Sequence, residues 1–170
     1  MTDTTRISPA QQNPDEDLVA NPARMPHPAF LLPGGFDALG AVQKVAQSTT
    51  LPVEILHMVT LRASQINGCS WCAVEHSKEM RADGASEERI FAVAAWRDAP
   101  HFTARERAAL ELTEALTRLA DAADAVPDSL WAEVCAHFDR KQIAALLFEI
   151  GLINVWNRIN VAIRQPAGSR

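Results

Sequence analysis

From Gly35 onward apolar residues return every three to four positions, the period of helices with one buried face. This spacing predicts a first helix over "FDALGAVQKVAQS", residues 36–48. A second starts at Pro52, a residue suited to a first helical position, with Glu54 in the first turn where it complements the dipole. Its apolar stripe runs Val53, Leu56, Val59, Ala63 and Ile66. Asn67-Gly68 ends it, since both residue types tolerate left-handed backbone. The next helix begins near Cys69 and stops at Asp83-Gly84. Ser86 caps a helix over 87–98 that halts before Pro100. Thr103 and Glu106 form a capping box for a long amphipathic helix reaching about Ala120. Pro127-Asp128 opens another through Phe138, and Asp139 with Gln142 caps the last, 140–163. With no strand-like alternation and no internal repeat, the predicted fold is all-α.

The first 28 residues do not share this pattern. Pro9, Pro14, Pro22, Pro26 and Pro28 fall among few large apolar side chains, too few to bury a core. The chain thus divides into a proline-rich arm, 1–28, either loose or laid across a neighbouring subunit, and a helical domain, 29–170. Composition agrees: 48% of the 170 residues are apolar, with few aromatics and many alanines, a mix that favours close-packed helices. A formal charge of −5 argues against nucleic-acid binding. No apolar run approaches the roughly 18 residues of a membrane span. The N-terminus lacks the charged-then-apolar pattern of an export signal, so the expected compartment is the reducing cytoplasm. There a close cysteine pair serves catalysis or metal binding more often than structural cross-linking.

Such a pair stands in "INGCSWCAVEH", residues 66–76. On a helix Cys69, Cys72 and His76 occupy i, i+3 and i+7 and project from one face. Cys69 falls in the first turn, where free amide N–H groups and the dipole favour a thiolate. Cys72 lies one turn from His76, which can take the thiol proton and stabilise the resulting thiolate. A thiolate there can attack a peroxide oxygen to give a sulfenic acid, which the second thiol closes to a disulfide. If the flanking helices form an antiparallel hairpin about Asn67-Gly68, position 57 reflects onto roughly position 78. His57 then falls opposite the turns that carry His76, where it can orient that ring or pass it a proton. Without the hairpin, His57 reads as a packed or solvated histidine.

Other readings of the pair remain open. A structural disulfide is poorly motivated in a reducing compartment. Cys69, Cys72, His76 and His57 also make a Cys₂His₂ zinc set, ranked second because zinc knuckles hold their Cys-x-x-Cys in a turn. Elsewhere, Cys135 beside Leu130, Val134 and Phe138 is expected to be a small core residue. Trp96 and Trp131 read as core or interface anchors. Asn154, Asn157 and Asn160, spaced by three in the apolar last helix, suggest a subunit contact or capping partners for another helix, and Gly151 a close helix approach. His27, His101 and His137 have no partner pattern and are assigned no role.

The segments "LRASQINGCSWCAVEH", "AAWRDAP" and "LINVWNRINVA" resemble the alkylhydroperoxidase D-like (AhpD-like) group of the carboxymuconolactone decarboxylase superfamily, over roughly residues 30 to 165. The resemblance implies an all-helical fold with its catalytic helix pair near a subunit boundary, in trimers or hexamers. It implies reduction of a hydroperoxide at the cysteine pair, with no bound cofactor and with electrons from a lipoyl-bearing protein or another dithiol reductant. In that group the second cysteine attacks the peroxide, so Cys72 would form the sulfenic acid, Cys69 would resolve it and His76 would be the base. The dipole argument alone favours Cys69 as nucleophile; the i+4 contact with His76 favours Cys72.

Two positions depart from the group. The pattern commonly has a glutamate twelve residues before the first cysteine, where this chain has His57. A neutral imidazole raises the basicity of His76 much less than a carboxylate would, so the relay is expected to be altered, with Glu54 one turn away as a substitute. Trp71 stands where some members carry a histidine. The decarboxylase branch generally lacks the paired cysteines. Their presence favours thiol redox chemistry, with a decarboxylase-like enzyme that ignores the thiols as the third reading.

Overall fold

The computed structural model describes residues 21–168, which hold eight α-helices: α1 (Pro28–Leu31), α2 (Gly35–Gln47), α3 (Val53–Ile66), α4 (Ser70–Ala82), α5 (Glu87–Ala92), α6 (Ala104–Thr117), α7 (Asp128–His137) and α8 (Arg140–Ile163). No strand occurs among the described residues, in line with the all-α expectation. Residues 1–20, most of the proline-rich arm, lie outside them.

The core is organised around α3. Ile55, Leu56, Met58, Val59, Leu61 and Ala63 are all buried, on more of the helix surface than one stripe could cover, because α4, α6 and α8 each pack against it. Val53, which the stripe included, is exposed. Leu110 and Leu112 of α6 and Leu146 and Ile150 of α8 complete the centre. Each such side chain contributes about 1.5–3 kcal/mol of burial free energy. A partly buried ion pair joins α3 to α6: the Arg62 guanidinium meets the Glu114 carboxylate, which also accepts from Trp96 Nε1 at 2.9 Å and from Arg97 at 3.0 Å.

Local sequence sets most helix ends. The capping boxes at Thr103/Glu106 and Asp139/Gln142 both form. Pro52 serves as the N-cap of α3, one position earlier than expected. Gly84 takes φ 89° after α4 and donates to Arg81 O at 3.0 Å, while Ala85 donates to Met80 O at 3.0 Å, the two bonds of a Schellman ending. The predicted helix over 87–98 shortens to α5 and one 3₁₀ turn, Val93–Ala95.

α8 has the length and apolarity of a membrane span, which the sequence reading missed because Glu149 interrupts the run. Half of that stretch is buried inside the protein, so it is the core helix of the bundle. The described part of the arm is tied to the end of this same helix. Arg24 donates its backbone N–H to Ile163 O at 2.8 Å and its guanidinium to Ala162 O at 3.0 Å, satisfying two carbonyls at the end of α8.

Candidate active site

The Asn-Gly turn places the first cysteine. Asn67 stays right-handed at φ −80°, and only Gly68 adopts the left-handed conformation, φ 67°. Gly68 N–H donates to Gln65 O at 3.3 Å and Cys69 N–H to Ser64 O at 3.0 Å, again closing the helix by a Schellman motif. Cys69 is at once the N-cap of α4: its backbone is extended and its sulfur accepts the Cys72 N–H at 3.3 Å. It therefore stands just before the first turn in which it was expected. The two cysteines form a disulfide with Cα atoms 5.4 Å apart. Both are almost wholly buried, in a small apolar cluster of Ala63 and Ile153 with Trp71 and Trp156 packed against it.

The asparagines of α8 fasten this turn from the other side. The Asn67 side-chain amide donates to Asn154 Oδ1 at 3.0 Å and Asn157 Oδ1 at 2.9 Å. Asn157 donates to Ser64 Oγ at 3.1 Å, and Asn160 to Cys72 Sγ at 3.2 Å. The amide stripe is an internal brace, not a subunit contact. Gly151, expected to mark a close helix approach, has open space where a Cβ would stand.

On α4 the histidine has a carboxylate partner that the sequence reading overlooked. His76 Nδ1–H donates to Glu79 Oε2 at 2.6 Å, which in the neutral ring leaves Nε2 as the nitrogen without a proton. His76 Nε2 makes no hydrogen bond among the described residues, and it lies one helical turn from Cys72. His57 does come level with this region, within a turn of the expected position: its Nδ1 donates to Asp83 Oδ2 at 2.6 Å and its Nε2 is 3.9 Å from Glu79 Oε2. His57 thus reaches His76 through Glu79, not directly. The carboxylate that the family pattern puts at position 57 has a counterpart here in Glu79, at i+3 from His76. Glu54 is exposed and bonds neither histidine.

Burial raises the Glu79 carboxyl, but the His76 hydrogen bond and the charges of His76 and His57 outweigh it and hold it below its usual value. Glu149 of α8 behaves in the opposite way. It is buried, one of its carboxylate oxygens has no hydrogen-bond partner, and desolvation pushes it up to about 7. The charge of His57 pulls that value down and the charge of Glu79 pushes it up, so the three groups share one electrostatic neighbourhood. The isolated Glu within "AALLFEIGLINV" was the sequence signal for it.

The zinc set does not assemble: among the described residues no three His, Cys, Asp or Glu side chains converge on a possible metal position. Cys135 is free and exposed, contrary to expectation, because α7 turns Leu130 and Val134 inward instead, with Phe138 buried at its C-cap. Trp96 is a core anchor, whereas Trp131 is exposed. A surface pocket of about 370 Å³ opens beside Cys69, lined also by Ser70, Asn160 and Arg164. Two larger hollows, about 560 and 510 Å³, lie away from the sulfurs.

Comparison with known proteins gives the family and the fold. Residues 35–115 match the model of the carboxymuconolactone decarboxylase family. The uncharacterized protein YdfG of Bacillus subtilis is 32% identical over 140 residues, 82% of this chain and 94% of its own length. A crystal structure from Agrobacterium tumefaciens, of a protein of unknown function named for the antioxidant defence protein AhpD, superposes with TM-score 0.80 at 37% identity, covering 88% of this chain and all of that one. The alkylhydroperoxidase AhpD core of a peroxidase-related protein from Ralstonia eutropha shares the fold, with TM-score 0.72 at 17% identity, over 88% of this chain and 95% of that one. The chain belongs to the carboxymuconolactone decarboxylase family, in its AhpD-like group.

Proposed function

We propose that this protein is a thiol-dependent hydroperoxide reductase that cycles between a Cys69/Cys72 dithiol and a disulfide. The observation that carries the reading is the bonded sulfur pair at the start of α4, with a histidine–carboxylate pair one turn further along the same helix. His76 Nε2 takes the Cys72 proton, and Glu79 stabilises the imidazolium that results. The Cys72 thiolate attacks the distal peroxide oxygen; the O–O bond breaks, Cys72 becomes the sulfenic acid, and the alcohol leaves with a proton returned from His76. The Cys69 thiol then attacks the sulfenic sulfur, forming the disulfide and releasing water. The two electrons come from the dithiol, and a dithiol reductant, lipoyl-bearing or other, restores it in a reducing cytoplasm.

Self-association forms part of the proposal. Phe148, Gly151 and Val155 are exposed along the outer side of α8, an apolar strip that a second copy would cover.

The test is a thiol count and intact mass on the reduced protein before and after one equivalent of an organic hydroperoxide. The reading expects loss of two thiols and two mass units, abolished in Cys72→Ser. Unchanged peroxide consumption in that variant would overturn it.

A further inference from the structure

The donor on Cys72 Sγ is the side chain of Asn160, and Asn160 is itself held by a residue of the N-terminal segment. Ala29 N–H donates to His27 Nδ1 at 3.1 Å, which fixes that nitrogen as an acceptor. The ring proton of the neutral imidazole is then on Nε2, 2.9 Å from Asn160 Oδ1. With its oxygen facing this donor, the Asn160 amide must turn its NH₂ toward Cys72, where Nδ2 to Sγ is 3.2 Å. The opposite amide orientation would set NH₂ against an N–H and leave the sulfur facing an oxygen. Three linked hydrogen bonds therefore settle a direction that the shape of an amide leaves ambiguous.

The segment is anchored independently of this contact. The two Arg24 bonds to the last carbonyls of α8 bring His27 beside Asn160. The His27 ring also packs 5.6 Å from Trp156, one of the side chains that cover the disulfide.

We propose that His27 and Asn160 are positioning residues that stabilise the Cys72 thiolate through the Asn160 amide N–H. The chain before residue 35 would then complete the reactive site. The proposal rests on the assignment of Cys72 as the attacking thiol. The backbone N–H of Cys72 is directed at Cys69, so the donor on the Cys72 sulfur comes from α8. Each sulfur then has one donor: a backbone N–H for Cys69 and an amide side chain for Cys72. A hydrogen bond made to the charged form of a thiol favours that form. The titratable neighbours of Cys72 are Cys69 and His76 on its own helix and His27 from the N-terminal segment. α3 and α8 present Ala63, Ile153 and Trp156, which do not titrate, and Arg164, just past the end of α8, lines the pocket beside Cys69. Further along, Glu79 bonds His76 and Asp83 bonds His57, with Glu149 of α8 in the same electrostatic neighbourhood.

The experiment follows thiolate absorbance in the far ultraviolet against pH in a Cys69→Ser, Cys135→Ser background, so that Cys72 alone ionises as a thiol. The chain contains no tyrosine to overlap the signal. Asn160→Leu is expected to raise the midpoint by about one pH unit, a tenfold loss of thiolate well below it. His27→Ala should shift it the same way by less, and His27→Gln, which keeps an N–H donor, should restore it. An unmoved midpoint in Asn160→Leu would overturn the proposal. If that variant does not fold, His27→Ala decides in the same way, since His27 lies outside the core. This readout needs no peroxide turnover: a moved midpoint without peroxide reduction in the wild type would sink the functional reading alone.

Discussion

His76 and Glu79 are joined within a single turn of α4, Nδ1 to Oε2 at 2.6 Å, so the ring's second nitrogen is fixed as a proton acceptor. Because the partner is on the same helix, the pairing survives the loss of a carboxylate from α3, where His57 instead turns its Nδ1 to Asp83.

Glu79→Gln keeps an oxygen acceptor for His76 but removes the charge that faces the imidazolium during proton transfer. We expect disulfide formation by hydroperoxide to slow roughly ten- to a hundredfold, less than the roughly 10²–10⁴-fold of a whole general base, because His76 itself is kept. Quenched-flow mass spectrometry of the reduced variant measures it. A rate equal to wild type would show that Glu79 only fastens the ring.

Glu149 gives a stability signature with a definite sign. Its folded value, about 7, lies above the ordinary 4.5, so the native state holds a proton that the unfolded chain has released. Stability therefore falls as pH rises from about 4.5 through 7, and the loss is complete above that window. The rise from 4.5 to about 7 corresponds to about 3 kcal/mol. Glu149→Gln cannot ionise and is expected to flatten this part of the pH–stability curve. Urea midpoints at pH 5 and pH 8 test it: the fall seen in wild type should shrink in the variant. Equal falls in both would place the origin elsewhere.

The apolar strip on α8 predicts an assembly. Wild type is expected to sediment above the mass of one chain, and Phe148→Glu to shift toward the monomer. A monomeric wild type would remove the proposed self-association and leave the sulfur chemistry untouched.

Much of the fold was legible because it is written in short-range chemistry. Thr103 with Glu106, Asp139 with Gln142, and Gly68 and Gly84 in left-handed turns each act within a few residues, and each does what its type demands. The Cys69–Cys72–His76 face follows from helical spacing in the same way. The partners of that face were harder to read. Glu79 went unread, because the expectation of a carboxylate was tied to position 57 on another helix. The contact between His27 and Asn160 spans 133 positions and has no local signal. Cys135 was misjudged for another reason: a step of one residue turns a side chain by about 100° around a helix, and its neighbour Val134 holds the buried place.

One further consequence attaches to Cys69, which ends α3 and caps α4 within a single residue. A resolving thiol on a mobile loop would have to find its partner, leaving a sulfenic acid exposed to a second peroxide molecule. Here the backbone already holds the two Cα atoms 5.4 Å apart, and the asparagine brace keeps the turn in place. The effective molarity of one sulfur for the other is correspondingly high. On the proposed chemistry, the lifetime of the sulfenic acid is therefore set by a side-chain rotation. This protein should resist over-oxidation to the sulfinic acid even when peroxide is abundant.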